Sequence, residues 1–423
     1  MLTPKRGPGH LNASDPLTDA LPRKLHVLSV IHYPVFGGPH NRNASVIPLL
    51  ADRGVETTVL LPDEPGDAAD RLRARGVDLI TLPLGRIRAT SDPRVHLRFA
   101  ANLPTEVTQI REVIRCRGID LVLVNGLVNP QAGLAARLEG VAVTWQLLDT
   151  FPPWAMRLVL MPLVRVLADS LMTSGNAVAT AHPGAKGFGE RLISFFPIVD
   201  ADRFRPDSER ASWARRELGV PSEAVVVGNV SNFNPMKGHL TFVRAAARLH
   251  ATHPDVYYVM LGGSYAHHAG YLHRIRREIR ELRLDGRIAI RDPGKQVAEL
   301  ASAFDLFWLT SEPRSEGVST VVGEAMALGL PVVATDVGSV AEAVEHTVTG
   351  FMVPPRDPQA IAAASVSLVE NPQLRCQLGL AGRRRAESLY DATACARSHV
   401  QAFDAALRNH DRGATRIAQA NTR

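Results

Sequence analysis

The sequence predicts an α/β protein built from two doubly wound domains that face each other across a cleft. Three observations carry this prediction. Short apolar runs alternate with helical periodicity along most of the chain, and the alternation comes as two series separated by a polar joint. The chain has 423 residues, 45% of them hydrophobic, which is too long for one ordinary domain and rich enough for packed cores.

In the first series, residues 25–31, 57–61, 121–124 and 141–147 read as buried strands, with helical patterns such as 43–52 and 105–115 between them. The joint is IVDADRFRPD near 199–207, polar, proline-bearing and without periodicity. The second series then places strands at 224–230, 256–261, 288–290, 306–310 and 331–335, each followed by a helical stretch. The organisation predicted is a flexible segment 1–23, a first domain 24–199, a second domain 200–385 and a flexible, polar tail 408–423. Ligands of doubly wound folds bind where the strands end, so function is expected in those loops.

Charge excludes some functions. The formal charge is +6 with 48 basic and 42 acidic residues, but residues 1–200 hold 21 basic against 18 acidic and residues 201–423 hold 27 against 24. The excess is spread evenly, and only five lysines occur, so no nucleic-acid partner is expected. Cys116, Cys376 and Cys395 fit no metal spacing and no disulfide framework. Residues 1–22 lack the apolar stretch of a secretory signal, which predicts a cytoplasmic protein. The apolar segment 151–172 is interrupted by Arg157, Arg165 and Asp169 and does not read as a spanning helix. Its Trp154, Met156, Leu158, Met161, Leu163 and Val166 either pack within their own domain or rest peripherally on an anionic membrane surface.

Three loops carry candidate chemistry. Gly37 and Gly38 follow the first strand, where they either relieve a tight turn or let the backbone approach a phosphate or sugar. Lys237 stands at the equivalent loop of the second series, before a helix with apolar Leu240, Val243, Ala246 and Leu249. An ammonium there suits a diphosphate; the alternative is a solvated surface lysine. After the strand 306–310, Glu316 is followed eight residues later by Glu324. The helix between is predicted to begin near Ser319 or Thr320 and to stop at Gly329 before Pro331. The N–H groups of Gly317, Val318 and Ser319 then form an anion site. Carboxylates flanking it can hold sugar and ribose hydroxyls, or simply stabilise the helix dipole.

Several segments together resemble the retaining glycosyltransferases of the GT-B fold, family-four type: Gly37-Gly38, VDADRFRP (199–206), NPMKG (234–238), VMLGG (259–263), the Glu316 to Glu324 pair with EAMALGLPVVAT, and TGFMVPPRDPQAIA. The resemblance covers about residues 24–400. It implies two Rossmann-like domains, the first completed by a C-terminal helix at about 386–407. It implies that Lys237 neutralises the departing diphosphate, Glu316 contacts donor-sugar hydroxyls, the N–H groups after it bind phosphate or sugar, and Glu324 accepts from the ribose. Relatives pair the lysine with an arginine five residues earlier, where this chain has Asn232; Arg314 is the candidate to compensate. The histidine that relatives place near the reacting carbon is also missing from VTWQLLDT, leaving Asp149, with His32 and His40 as further candidates for acceptor contacts. The expected function is transfer of a sugar from a nucleoside-diphosphate sugar to a glycan, lipid-linked or small-molecule acceptor, with retention. No Asp-X-Asp stands in the strand-end loops, so neither metal nor other cofactor is expected. The rivals are a sugar-nucleotide epimerase on the same architecture and a non-catalytic sugar-nucleotide-binding protein.

Overall fold

A computed structural model describes residues 23–263 and 268–421. The expectations for residues 1–22 and for 422–423 lie outside the described residues. The first sheet contains β1 (Leu25–Ile31), β2 (Val55–Pro62), β3 (Asp78–Leu82), β4 (Leu121–Asn125), β5 (Ala142–Leu147), β6 (Ser170–Ser174) and β7 (Leu192–Phe195), in the order β3-β2-β1-β4-β5-β6-β7. The second contains β8 (Val226–Val230), β9 (Tyr257–Leu261), β10 (Ile288–Arg291), β11 (Leu306–Leu309), β12 (Val332–Thr335) and β13 (Gly350–Val353), in the order β10-β9-β8-β11-β12-β13. All neighbouring strands are parallel. Parallel strands need crossover connections and burial on both faces, which explains the continuous apolar runs in the central strands.

Sequence reading missed β3, β6, β7 and β13. Three of these are edge strands, half-buried and therefore without a full apolar run. β6 is buried, but its sequence SLMTS is broken by hydroxyls; that of Ser170 donates to the Ala402 carbonyl oxygen at 2.8 Å.

After β13 the chain forms the Pro358–Glu370 and Pro372–Leu389 helices, and the Ala392–Asn421 helix then returns to the first sheet. There Cys395, Ala396, Val400, Phe403 and Ala406 share a core with Leu25, Val27, Leu121, Ala142 and Met172. The helix continues to Asn421 through most of the segment 408–423 expected to form the tail. The buried Asp169 anchors the start of that segment: Asn409 Nδ2 donates to its Oδ1 at 3.0 Å, and His410 lies 3.5 Å from its Oδ2. His410 Nε2 also bonds the Gly140 carbonyl oxygen at 2.9 Å.

In each sheet the strand order reverses beside the first strand of its series, β1 next to β4 and β8 next to β11. Loops leaving these strands open a crevice at such a switch point.

Candidate active site

The wall built by the second sheet is held together by backbone fit. Gly238 has φ +66°, and a Cβ there would lie 1.9 Å from the Thr310 carbonyl oxygen, so only glycine lets the β8 loop pack on the end of β11. The two loops are stitched by Thr310 Oγ1 donating to Lys237 O at 3.0 Å and Glu312 N–H donating to Met236 O at 2.8 Å. This places the Lys237 ammonium 2.6 Å from Glu316 Oε1, which also accepts from Ser311 Oγ at 2.6 Å. The Glu316 side chain is 8% exposed and that of Lys237 24%. The pair is therefore charge-balanced but reachable from one side. Asn232 lies at the end of β8, close to Gly263 and with its carbonyl oxygen accepting from Asn234 N–H. Arg314 is exposed on the β11 loop in a left-handed conformation, φ +71°, and feels the like charge of Arg157.

The following helix spans Thr320–Ala327 with Ser319 at its N-cap, and ends before the expected Gly329. Gly317, Val318 and Ser319 are all buried. One expected anion donor is already engaged: Val318 N–H donates to Ser174 Oγ at 3.0 Å, from the end of β6 in the other sheet. This corrects the picture of three open N–H groups, because the two walls meet there. A Cβ on Gly317 would lie 2.1 Å from the Leu148 carbonyl oxygen. Ser339 Oγ donates to Ser174 O at 3.1 Å, and Glu342 accepts from the N–H groups of Asn176 and Ala177, each at 2.8 Å. Glu324 borders a small apolar pocket with Phe204, Phe304 and Phe307, and burial pushes its carboxyl up to about 7.

The wall built by the first sheet encloses most of a cavity of about 670 Å³ that includes His32, Gly38, Arg42, Arg86, Arg88, Asp149, Ser174 and, from the other wall, Val318 and Thr320. His32 is buried, held by a bond from Nδ1 to the Asn125 carbonyl oxygen at 2.9 Å, and burial lowers its pKa to about 4, so it is neutral. Burial raises the Asp149 carboxyl above its ordinary value, as does the charge of Glu316. Gly38 lines the cavity and Gly37 caps the Gly38–Ala51 helix; a Cβ on either would meet nothing within 4 Å, so crowding in the turn does not require them. His40 is corrected as an acceptor ligand. It is fully buried, its Nδ1 accepts from Gly37 N–H at 3.1 Å and its Nε2 faces the Tyr33 carbonyl oxygen at 2.9 Å. Both ring nitrogens are used to close the helix start.

Sequence reading missed Arg42, Ser174 and Glu342. Arg42 left a signal: it is the one charged residue, His40 aside, in a 14-residue helix that has no acid to pair with it. Ser174 and Glu342 left none, since their partners lie more than 140 residues away. Among the described residues, no group of three or more His, Cys, Asp or Glu could hold a metal ion, and no helix is long and apolar enough to cross a membrane.

Family models match both halves of the chain: glycosyl transferase 4-like domain over residues 37–188 and glycosyl transferases group 1 over residues 213–385. A D-inositol 3-phosphate glycosyltransferase of Corynebacterium jeikeium is 35% identical over 188 residues, 43% of this chain and 44% of that protein. The chain thus spans about half the length of this relative and of a second from Corynebacterium urealyticum, 32% identical over 49% of this chain and 50% of its own length. A D-inositol 3-phosphate glycosyltransferase 2 of Catenulispora acidiphila matches more widely, 29% identical over 90% of this chain and 95% of its own. Among solved structures, a Rickettsia africae glycosyltransferase superposes with TM-score 0.76 at 20% identity, covering 91% of this chain and 99% of that one. Anabaena HepE in complex with UDP superposes with TM-score 0.72 at 22% identity, covering 94% and 100%. These likenesses establish the GT-B fold.

Proposed function

Because the chain belongs to the glycosyl transferases group 1 family, we propose that it transfers a hexose-type sugar from a nucleoside diphosphate to an acceptor hydroxyl, with retention at the anomeric carbon and without a metal ion. The observation that carries this reading is the Lys237–Glu316 pair, poised at the strand ends near Asp149 of the opposite wall. In the transfer, the anomeric carbon–oxygen bond to the diphosphate breaks, the acceptor oxygen bonds that carbon, and the acceptor proton passes to the leaving diphosphate. Negative charge grows on the diphosphate and positive charge on the ring. The diphosphate draws the Lys237 ammonium toward itself, which releases Glu316 Oε1 for a donor-sugar hydroxyl. Glu324 is the proposed acceptor for ribose hydroxyls. Gly37, Gly38, Asn232, Arg314 and the amides around Gly317 and Ser319 are the further donor contacts we propose, with His32 and Asp149 facing the acceptor. All three cysteines are free, which supports a reducing, cytoplasmic setting.

HepE is known with UDP and with UDP-glucose, which makes UDP sugars the first donors to test. The test is a chromatographic assay of UDP-glucose consumption with and without D-inositol 3-phosphate, the compound in the names of the curated relatives, or an extract of cellular glycans and lipids. Acceptor-dependent release of UDP with an α-linked product supports the reading. Conversion of the sugar nucleotide with no acceptor identifies an epimerase instead. Binding without turnover identifies a non-catalytic protein, the outcome that Asn232 at the expected arginine position and the histidine missing from VTWQLLDT would explain.

We also propose a peripheral contact with an anionic bilayer. On the Trp154–Leu167 helix, Trp154, Leu158, Val159 and Val166 are exposed on one side, next to exposed Phe151 and Arg165. The stretch from Phe151 to Leu167 holds no acid, and of its two arginines Arg157 is buried while Arg165 is exposed, which leaves one cation to match negative headgroups. Co-sedimentation with phosphatidylglycerol vesicles but not phosphatidylcholine vesicles, lost in the Leu158→Glu/Val159→Glu variant, is the expected result; equal sedimentation of the variant would remove the proposal.

A further inference from the structure

The wall built by the first sheet holds a buried cation that the donor chemistry leaves unused. Arg42 lies on the second turn of the Gly38–Ala51 helix, is 5% exposed and lines the large cavity. Its Nη2 donates to Asn125 Oδ1 at 2.7 Å and to Gln146 Oε1, both neutral, and its Nε is buried without a partner. No described carboxylate forms an ion pair with it. Burial lowers its pKa to about 10, so the guanidinium stays charged at neutral pH. The guanidinium also lies over the Phe195 ring, 5.1 Å from its centroid, but a buried charge held by neutral groups alone is costly unless an anion completes its shell.

The surroundings add to the positive potential. Gly38 and Pro39 bring the start of the same helix to the cavity, and that helix contains no acid. Arg86, which spends part of its charge on Glu64 at 3.0 Å, and the exposed Arg88 also line the cavity. Among the described residues, Asp149 is the only carboxylate lining it. His32, held neutral, adds a polar edge without a competing charge.

We propose that Arg42 and the start of its helix form an anion subsite for a phosphate group carried by the acceptor. The inference rests on the transfer reading and deepens it: the donor diphosphate belongs to Lys237 on the opposite wall, so the anion at Arg42 belongs to the acceptor. A planar guanidinium offers forked donors to phosphate oxygens, and the neutral amides of Asn125 and Gln146 hold the fork in place without cancelling its charge.

The test is calorimetric titration of the full chain saturated with UDP, using D-inositol 3-phosphate, myo-inositol and inorganic phosphate as probes. The ester is expected to bind at least tenfold more tightly than myo-inositol, with inorganic phosphate competing. Arg42→Met should abolish that preference. Gln146→Glu should abolish it too, because a carboxylate beside Nη2 supplies an internal counter-charge without removing the arginine. In both variants UDP affinity should stay within about twofold of the original. Equal binding of ester and polyol, or a preference that survives in both variants, would overturn the subsite. A parallel loss of UDP affinity would overturn it as well, by moving Arg42 to the donor diphosphate. Failure of the unaltered protein to bind any of UDP, GDP, ADP and TDP would sink the transfer reading itself, a different result. Competition from phosphatidylglycerol vesicles that disappears in both variants would assign the phosphate to a lipid-linked acceptor, and its absence to a soluble one.

Discussion

The two walls of the cleft share a topology and treat charge in opposite ways. On the second sheet's wall, Lys237 is paired with Glu316 at 2.6 Å and Glu316 is further held by Ser311. On the first sheet's wall, the buried Arg42 has only neutral partners. A paired cation is stable alone and must exchange its partner when an anionic ligand arrives; an unpaired one is costly alone and is completed by the ligand. The difference teaches that the first wall is already committed to one sign of ligand, while the second can pass between an internal ion pair and a bound diphosphate.

The largest effect expected to sharpen this contrast comes from Lys237→Ala. It removes the paired cation assigned to the leaving group and strands Glu316 with Ser311. Loss of a preorganised donor to developing charge costs about 10²- to 10³-fold in kcat, and breaking a largely buried pair also lowers stability. Steady-state kinetics beside a thermal melt separates the two. Wild-type turnover would mean the diphosphate is held elsewhere.

Next comes Gly317→Ala, which acts where the walls touch. Its Cβ would meet the Leu148 carbonyl oxygen at 2.1 Å and Ser174 Oγ at 3.0 Å, a backbone clash that no rotamer relieves. The walls must part, and the Val318 N–H to Ser174 bond is lost. A displacement near 1 Å can cost about 100-fold in rate. Single-turnover kinetics should show this loss with binding of UDP retained, and an unchanged rate would show that the contact is not needed for transfer.

The smallest effect is expected from Glu324→Gln. Burial raises this carboxyl to about 7 from an ordinary 4.5, so between those values the folded chain binds more protons than the unfolded one, and stability falls as pH rises. The cost is absent below about pH 4.5 and complete above about pH 7. The glutamine variant should be more stable by about 3 kcal/mol at pH 8 and lose this pH dependence. Melts at pH 5 and pH 8 that shift in parallel for both proteins would reject the assignment. The proposed ribose contact predicts weaker UDP binding by the same variant.

Most of the fold was legible in the sequence, and the candidate site only in part. The central strands announce themselves by continuous apolar runs, since burial on both faces leaves no room for alternation; the edge strands β3, β7 and β13 lack that signature. Lys237, Glu316 and Glu324 could be singled out because strand-end loops and a helix start are recognisable in the sequence around them. His40 misled because a histidine beside paired glycines reads as a ligand, whereas its ring closes the helix over Gly37 and Tyr33. The helical course of 408–421 was not legible because polarity without periodicity hides an anchor such as Asp169, reached by Asn409 across 240 positions.

By itself, the sequence determined the alternation of strands and helices, the position of the joint and the residues at the strand ends, because periodicity and glycine placement act over a few neighbours. The tertiary structure alone decided that Val318's amide is taken by Ser174, that Glu342 caps the turn at Asn176, and that Arg42 is buried without a carboxylate. The physical reason is that the strength of a charge or a hydrogen bond depends on its partner and on exclusion of water. Both come from segments far away in the chain, and neither leaves a local pattern.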